Sequence, residues 1–174
     1  FIGDLQLDAT LRRAGLYLGS DWSEHHAGTC GVGTAIATGQ ALTVHQGDHF
    51  DATHIPLTCT AAPLYDPLGR LNAILDISAL TSPQAKTSQH LALQLVKVYA
   101  QRVENANFLR CYRNDWVLKL HPSPEFVEIS PDHLVALDDA GRIVGHNRAA
   151  QLMLEGEQGS TVLGLPFEQL FNAR

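Results

Sequence analysis

The stretch Leu57–Ile77 reads LTCTAAPLYDPLGRLNAILDI and decides the fold prediction. Residues 57–65 and 71–77 are two runs rich in apolar and β-branched side chains. Between them lies Asp66–Arg70, which contains a proline and a glycine. This arrangement predicts two antiparallel strands joined by a hairpin turn.

Shorter elements precede this hairpin. Leu42–His45 predicts another strand, and Gly33–Thr38 predicts a short helix that Gly39 ends. Residues 1–82 therefore predict the core of an α+β domain, with a central antiparallel sheet flanked by helices.

A long helix is predicted over residues 83–120. Ser82 precedes Pro83, as helix starts prefer, and no proline or glycine follows until Pro122. One apolar stripe consists of Ala92, Val96, Tyr99, Val103 and Ala106, and the other of Leu91, Leu95 and Val98, while Leu109, Tyr112 and Trp116 continue at helical spacing. Two stripes are too wide for a helix packed on one side only, so one face is expected to cover the sheet and the other to pair with a second copy.

Residues 121–174 have a third pattern, which begins after the prolines of 121–124. It predicts a strand at Leu134–Leu137, a turn at Asp138–Arg142, a strand at Ile143–His146, a helix at Arg148–Leu154 capped by Asn147, and a helical piece at 164–171.

Composition narrows the functional classes. The formal net charge is -6 and the basic residues are scattered, so the chain offers no basic face for DNA. Its three cysteines are widely spaced, which favours a reducing, cytoplasmic setting over a disulfide framework. No apolar run is long enough to span a bilayer, so no membrane contact is expected. Because the chain starts at Phe1, we expect an internal piece of a longer protein whose N-terminal helix is missing.

Several unusual words occur in one order: WSE at 22–24, GTCGVGTA at 28–35, VHQGDHF at 44–50, TCTAAPLYD at 58–66, GRL at 69–71 and LDIS at 75–78. Together they resemble the GAF domain of acetoin catabolism regulators and of the related dihydroxyacetone-operon regulators, over residues 10–115. One departure is Cys30, where that family usually has asparagine. The pattern from Asp132 to Leu154 resembles the opening of a PAS domain.

The resemblance implies the sensory region of a sigma-54-dependent transcription activator. Its division would be a GAF core at 1–82, a signalling and dimerisation helix at 83–120 and the N-terminal half of a PAS domain at 121–174. DNA and RNA polymerase would be contacted only through domains outside this chain, together with an ATPase domain. No phosphate-binding Gly-x-x-x-x-Gly-Lys loop occurs in these residues, and no enzyme activity or cofactor is expected.

A GAF domain holds its ligand between the sheet and the segments that cover it, so the resemblance implies a pocket for a small effector such as acetoin. A small polar metabolite needs a few hydrogen bonds in an otherwise apolar cavity. The residues predicted to provide this mixture are Trp22, Cys30, His45, His49, Phe50, Thr58 and Thr60. Strand alternation places Thr58 and Thr60 on one face of the strand and Cys59 on the other. If the face with the two threonines points away from the pocket, Cys59 is expected to contact the ligand instead.

Other interpretations stay open. His45, His49 and His54 with Asp48 or Asp51 could form a metal site, but their spacing fixes no shared face and no metal is predicted.

Cys30 and Cys59 could act as a redox pair if one of them has a low-pKa thiolate. Asp76 lies at the end of an apolar strand, where a buried carboxylate needs a partner. A protein-interaction module that takes its signal from a docked partner protein is the main rival to the ligand sensor.

Overall fold

The computed structural model describes residues 5–155 and 161–169. The chain divides into two compact units. The first consists of Phe1–Pro63 with Ile74–Tyr99, and the second of Leu64–Ala73 with Ala100–Arg174.

Helices and strands alternate irregularly along the described chain. The helices are α1 (Asp8–Arg13), α2 (Glu24–Ala27), α3 (Gly31–Thr38), α4 (His90–Cys111) and α5 (Arg148–Glu155). The strands are β1 (Leu42–His45), β2 (Thr58–Tyr65), β3 (Leu71–Ala79), β4 (Trp116–Leu120), β5 (His133–Leu137) and β6 (Ile143–His146). None of the described helices is both long and apolar enough to cross a bilayer.

The first sheet has the strand order β1-β2-β3, and it confirms the strands predicted around the hairpin. In the antiparallel pair of β1 and β2, Leu42 lies opposite Ala61 and His45 opposite Thr58. The turn between β2 and β3 is held by Asp66, whose Oδ1 accepts hydrogen bonds of 2.9 Å from the backbone N–H groups of Leu68 and Arg70. Such side-chain bonding to nearby backbone is the reason that aspartate favours turns.

The first part of the predicted helix 83–120 is not helical. A 3-10 turn covers Lys86–Gln89, and α4 begins only at His90. The carbonyl of Ser82 accepts a hydrogen bond from Gln46 Nε2 at 3.1 Å, and the carbonyl of Gln84 lies 3.0 Å from His45 Nε2. Because these carbonyls bond to other segments of the first unit, the capping signal at Ser82 does not start the helix.

The prediction that the helix continues to Leu120 is also wrong. The helix ends at Cys111, and Trp116–Leu120 is strand β4, which pairs antiparallel with β5. The helical spacing of Tyr112 and Trp116 is therefore coincidental. The sequence WVLKL contains an aromatic and a β-branched residue, which favour strands.

In the second unit, the strand order is β4-β5-β6, and the two faces of β5 pack differently. Leu134 and Ala136 pack with Phe108 of α4. Val135 packs with Ala150 of α5. This alternation confirms the predicted strand and gives the unit apolar packing on both faces of its sheet.

A six-residue helix, α1, precedes the elements that the sequence predicts for the first unit. In the helical piece predicted at 164–171, Phe167–Gln169 forms a 3-10 turn, and residues 170 and 171 lie outside the described residues.

Candidate functional site

The first unit contains an open cleft of about 770 Å³. This volume falls in the range typical of small-molecule sites, roughly 300 to 1,000 Å³. Apolar side chains from the N-terminal segment, α3 and β3 make up much of its wall: Leu7, Leu11, Leu16, Val32, Ile74 and Leu80. The cleft is therefore suited to a molecule that has an apolar part.

The polar lining is sparse and includes one carboxyl group. Tyr17, Asp76, Ser78 and Thr81 contribute polar side chains, and Trp22 adds its indole. Ser78 Oγ donates a hydrogen bond of 2.6 Å to Asp76 Oδ2. The other carboxyl oxygen, Oδ1, is buried and has no hydrogen-bond partner among the described residues. Burial raises the pKa of Asp76, because removing water disfavours the charged form, and the Ser78 bond only partly opposes this.

Asp76 lies beside the start of α3 because Gly31 has no side chain. A Cβ added to Gly31 would lie 2.6 Å from Cys59 Cβ and 3.2 Å from Asp76 Oδ1. Cys59 Sγ in turn lies 3.3 Å from Ser78 Oγ. Gly31 thus allows close packing of the helix start onto β2 and β3, at the strand positions that carry the polar end of the cleft.

Cys30 is fully buried and acts as the N-cap of α3. Its Sγ accepts a hydrogen bond of 3.3 Å from Gly33 N and donates one of 3.4 Å to the carbonyl of Trp22. The thiol does not line the cleft. It connects α3 to the backbone of Trp22, a residue that does line the cleft.

The two thiols in the first unit lack the character of a redox pair. Burial and, secondarily, the negative charge of Asp76 raise the pKa of Cys59 to about 12. Burial also raises the pKa of Cys30. Thiol–disulfide chemistry needs a thiolate, and both environments disfavour it.

His45, Thr58 and Thr60 are buried, and their side chains form hydrogen bonds away from the cleft. His45 Nδ1 lies 2.9 Å from Thr58 Oγ1, and Thr60 Oγ1 lies 3.1 Å from Thr43 Oγ1. Because the Gln84 carbonyl bonded to His45 Nε2 can only accept, Nε2 is assigned the proton. None of the three lines the cleft. Cys59, on the opposite face of β2, contacts the cleft residue Ser78, as strand alternation allowed.

His49 and Phe50 lie outside the cleft lining as well. His49 Nδ1 donates a hydrogen bond of 2.9 Å to the carbonyl of Gln46, while its buried Nε2 has no partner among the described residues. Burial lowers the pKa of His49, since it disfavours the charged imidazolium. Phe50 is 81% exposed and borders a hollow of about 160 Å³ beside Gly28. Within the described chain, no group of three His, Cys, Asp or Glu side chains could hold a metal ion.

Of the seven residues predicted to contact ligand, the structure places only Trp22 in the cleft lining. Asp76 also lines the cleft, and the sequence indicates it as a carboxylate that needs a partner. Ser78 and Tyr17 were missed. For Ser78, the two-residue spacing from Asp76 along a strand would have placed both side chains on one face.

Comparisons with known proteins agree with this architecture. The family model of the GAF domain matches residues 4–107. The whole chain is 70% identical to 27% of the Acetoin catabolism regulatory protein of Cupriavidus necator, so it spans about a quarter of that relative. It is 30% identical, over 64% of its length, to 18% of the propane 2-monooxygenase operon transcriptional activator MimR of Mycolicibacterium smegmatis. It is 28% identical, over 46% of its length, to 13% of the acetoin dehydrogenase operon transcriptional activator AcoR of Bacillus subtilis.

A solved structure, the E. coli DhaR(N)-DhaL complex, contains a similar fold. The similarity has a TM-score of 0.56 at 21% identity and covers 97% of this chain and 56% of that chain. The GAF model itself matches more than half of the chain. The chain therefore belongs to the GAF domain family.

Proposed function

We propose that this chain is the sensory region of a sigma-54-dependent bacterial transcription regulator in the cytoplasm, and that its cleft binds a small metabolite. The observation that carries the proposal is the open, largely apolar cleft with the Asp76–Ser78 pair at its wall. Its relative from C. necator is named as a regulator of acetoin catabolism. Acetoin or another small carbonyl compound or diol is accordingly the proposed effector.

Titration calorimetry with the whole chain tests the proposed site. We expect acetoin or butane-2,3-diol to release or absorb heat on binding, and Trp22→Ala to weaken that binding about tenfold, because an aromatic wall of the cleft is lost. Phe50→Ala is the matched control, since Phe50 is outside the cleft lining, and it should leave the affinity unchanged. Absence of heat with every small carbonyl and diol, for folded wild-type protein, would reject the ligand class.

Signalling is proposed to pass through a homodimer of α4. Leu91, Leu95, Val98 and Tyr99 are exposed on this helix. The separations Leu91–Leu95 and Leu95–Val98 are four and three residues, which is the spacing of a coiled-coil seam. Binding can change such a pairing only if the ligand has different affinities for the two arrangements.

A charge introduced into this seam should weaken the dimer. We expect Leu95→Glu to raise the dissociation constant of a homodimer about tenfold or more, because two carboxylates would face each other in an apolar contact. Lys97→Glu changes an exposed residue of the same helix and serves as the control. Sedimentation velocity over a concentration series measures both. Wild-type chain that stays monomeric at every concentration would remove the helix-pair proposal.

A partner protein is the second candidate for the signal. The E. coli DhaR N-terminal region was solved as a complex with DhaL. The α4 seam in this chain is an exposed apolar surface that a partner could cover instead of a second copy. A monomeric chain that binds no small carbonyl or diol would favour this candidate.

The remaining regions extend the proposal. Residues 121–174 are proposed to form the first half of a PAS domain, supported by the strand-turn-strand-helix order of β5, β6 and α5. Because β4 pairs with β5, we propose that this domain begins near Trp116 instead of at 121. DNA and RNA polymerase are proposed to be contacted by other domains of the regulator, together with an ATPase domain.

A further inference from the structure

We infer that the Asp76–Ser78 pair makes the cleft select uncharged ligands that carry a hydroxyl group, and reject carboxylates, phosphates and compounds without a hydrogen-bond donor. This inference rests on the proposed function, because it assigns the ligand chemistry of the same cleft. Asp76 would then be the specificity-determining residue of the sensor.

The charge of the cleft lining disfavours anionic ligands. Among the described residues that line the cleft, Asp76 is the one acidic residue, and none of them is a lysine, arginine or histidine. An anionic ligand would lose its hydration without gaining a cationic partner. Where Asp76 is ionised, the anion would also meet a like charge in a partly buried place.

The hydrogen-bonding groups of the Asp76–Ser78 pair favour a ligand that can donate a hydrogen bond. The Ser78 hydroxyl hydrogen is used for Asp76 Oδ2 at 2.6 Å. When Asp76 is ionised, this pair therefore offers a ligand only hydrogen-bond acceptors, namely the carboxylate and the lone pairs of Ser78 Oγ. Asp76 Oδ1 has no donor from any described residue. Oδ1 is itself buried, so a ligand hydroxyl in the cleft would donate to Asp76 Oδ2 or to Ser78 Oγ, whereas a diketone offers only further acceptors.

The apolar wall of the cleft favours a ligand that also has an alkyl part. Leu11, Leu16 and Val32 line the same cleft as the carboxyl group. A ligand that fits both parts carries alkyl carbons together with its hydroxyl. Short-chain diols and hydroxyketones have this composition, whereas a phosphorylated or carboxylated metabolite does not.

Four small probes of similar size separate these requirements. Butane-2,3-diol and acetoin carry hydroxyl groups and no charge, diacetyl carries two carbonyls and no donor, and lactate carries a hydroxyl and a negative charge. Titration calorimetry of the whole chain at pH 7 should show wild-type protein binding the first two about tenfold more tightly than diacetyl or lactate.

Asp76→Asn tests the assignment to this residue. The amide has nearly the shape of the carboxyl group but has no charge and can both donate and accept. We expect it to reduce the preference over diacetyl and lactate to about threefold or less. Asp139→Asn is the matched control, because it makes the same chemical change at an exposed position of the second unit and should leave all four affinities unchanged.

The outcomes are distinguishable. Wild-type protein that binds lactate or diacetyl as tightly as acetoin, or an Asp76→Asn protein that keeps the full preference, would overturn the inference while the proposed function stands. No binding of any probe to folded wild-type protein would reject the proposed function and this inference with it. Thermal unfolding verifies that the variant is folded, and Asp76→Ser, which also removes the charge, replaces it if asparagine is not tolerated.

Discussion

Replacing Gly31 by alanine is expected to lower the free energy of unfolding by about 2 to 3 kcal/mol. The added methyl group would lie 2.6 Å from Cys59 Cβ, a distance that packed carbon atoms do not adopt. Cys59 cannot turn away, because its Cβ is fixed by the backbone of the central strand β2. The helix start must therefore move away from the sheet, or the strand must shift.

Gly47→Ala is the control for this substitution. An added Cβ at Gly47 meets nothing within 4 Å, so the same chemical change should alter the free energy of unfolding by less than about 0.5 kcal/mol. Urea unfolding at equilibrium, followed by far-UV circular dichroism, measures both variants. A Gly31→Ala protein as stable as wild type would show that α3 does not pack on β2 as closely as described.

The movement of α3 or β2 expected in Gly31→Ala protein should also change the cleft. Gly31 is also next to Asp76, since its added Cβ would lie 3.2 Å from Oδ1. Any ligand preference that depends on the Asp76–Ser78 pair should therefore weaken in Gly31→Ala protein as well. The stability of the first unit and the recognition of ligand are linked at this one residue.

Sequence patterns predict five of the six described strands, all but β4, because the residues that specify these five lie close together in the chain. The hairpin of β2 and β3 is specified by apolar runs on both sides of a turn whose aspartate bonds its own neighbours. Strand β6 was predicted with the bounds Ile143–His146 that the structure has. In each case, the residues that determine the element lie within it or next to it.

The helix boundaries depend on distant residues, and there the prediction was wrong. Whether Ser82 and Gln84 enter a helix is decided by bonds of their carbonyls to Gln46 and His45, 36 and 39 residues earlier in the chain. At the other end, Trp116 leaves the helical pattern because β5 offers strand partners from 133 to 137. Neither competing interaction is visible in the local sequence.

The candidate site was predicted less well than the fold, for a related reason. Conspicuous polar side chains, His45 and Thr58 among them, satisfy each other inside the fold. Asp76 is different, because one of its carboxyl oxygens has no partner. Sequence reveals which side chains could bind a ligand, but only the packing shows which of them are already occupied.

Asn147→Ala is expected to lower the free energy of unfolding by about 3 to 4 kcal/mol. Asn147 is 3% exposed, and its amide makes four hydrogen bonds. Its Oδ1 accepts from the backbone N–H groups of Leu134 and Ala150, at 3.1 and 2.9 Å. Its Nδ2 donates to Asn105 Oδ1 at 2.7 Å and to the carbonyl of Asp132 at 2.8 Å. Alanine would leave these four groups without their partner, and the N–H groups of Leu134 and Ala150 are buried while the other two groups are partly buried.

Two further variants separate the hydrogen bonds from general effects of losing an asparagine. Asn147→Asp keeps the two acceptor bonds to the N–H groups, but at pH 7 it places a buried carboxylate oxygen against the acceptor oxygens of Asn105 and Asp132, so its cost should be at least as large as that of alanine. Asn72→Ala removes an exposed asparagine and should change stability by less than about 0.5 kcal/mol. Chemical denaturation measures all three. If Asn147→Ala is no more destabilising than Asn72→Ala, the network that joins α4, β5 and α5 through this amide does not hold the second unit together.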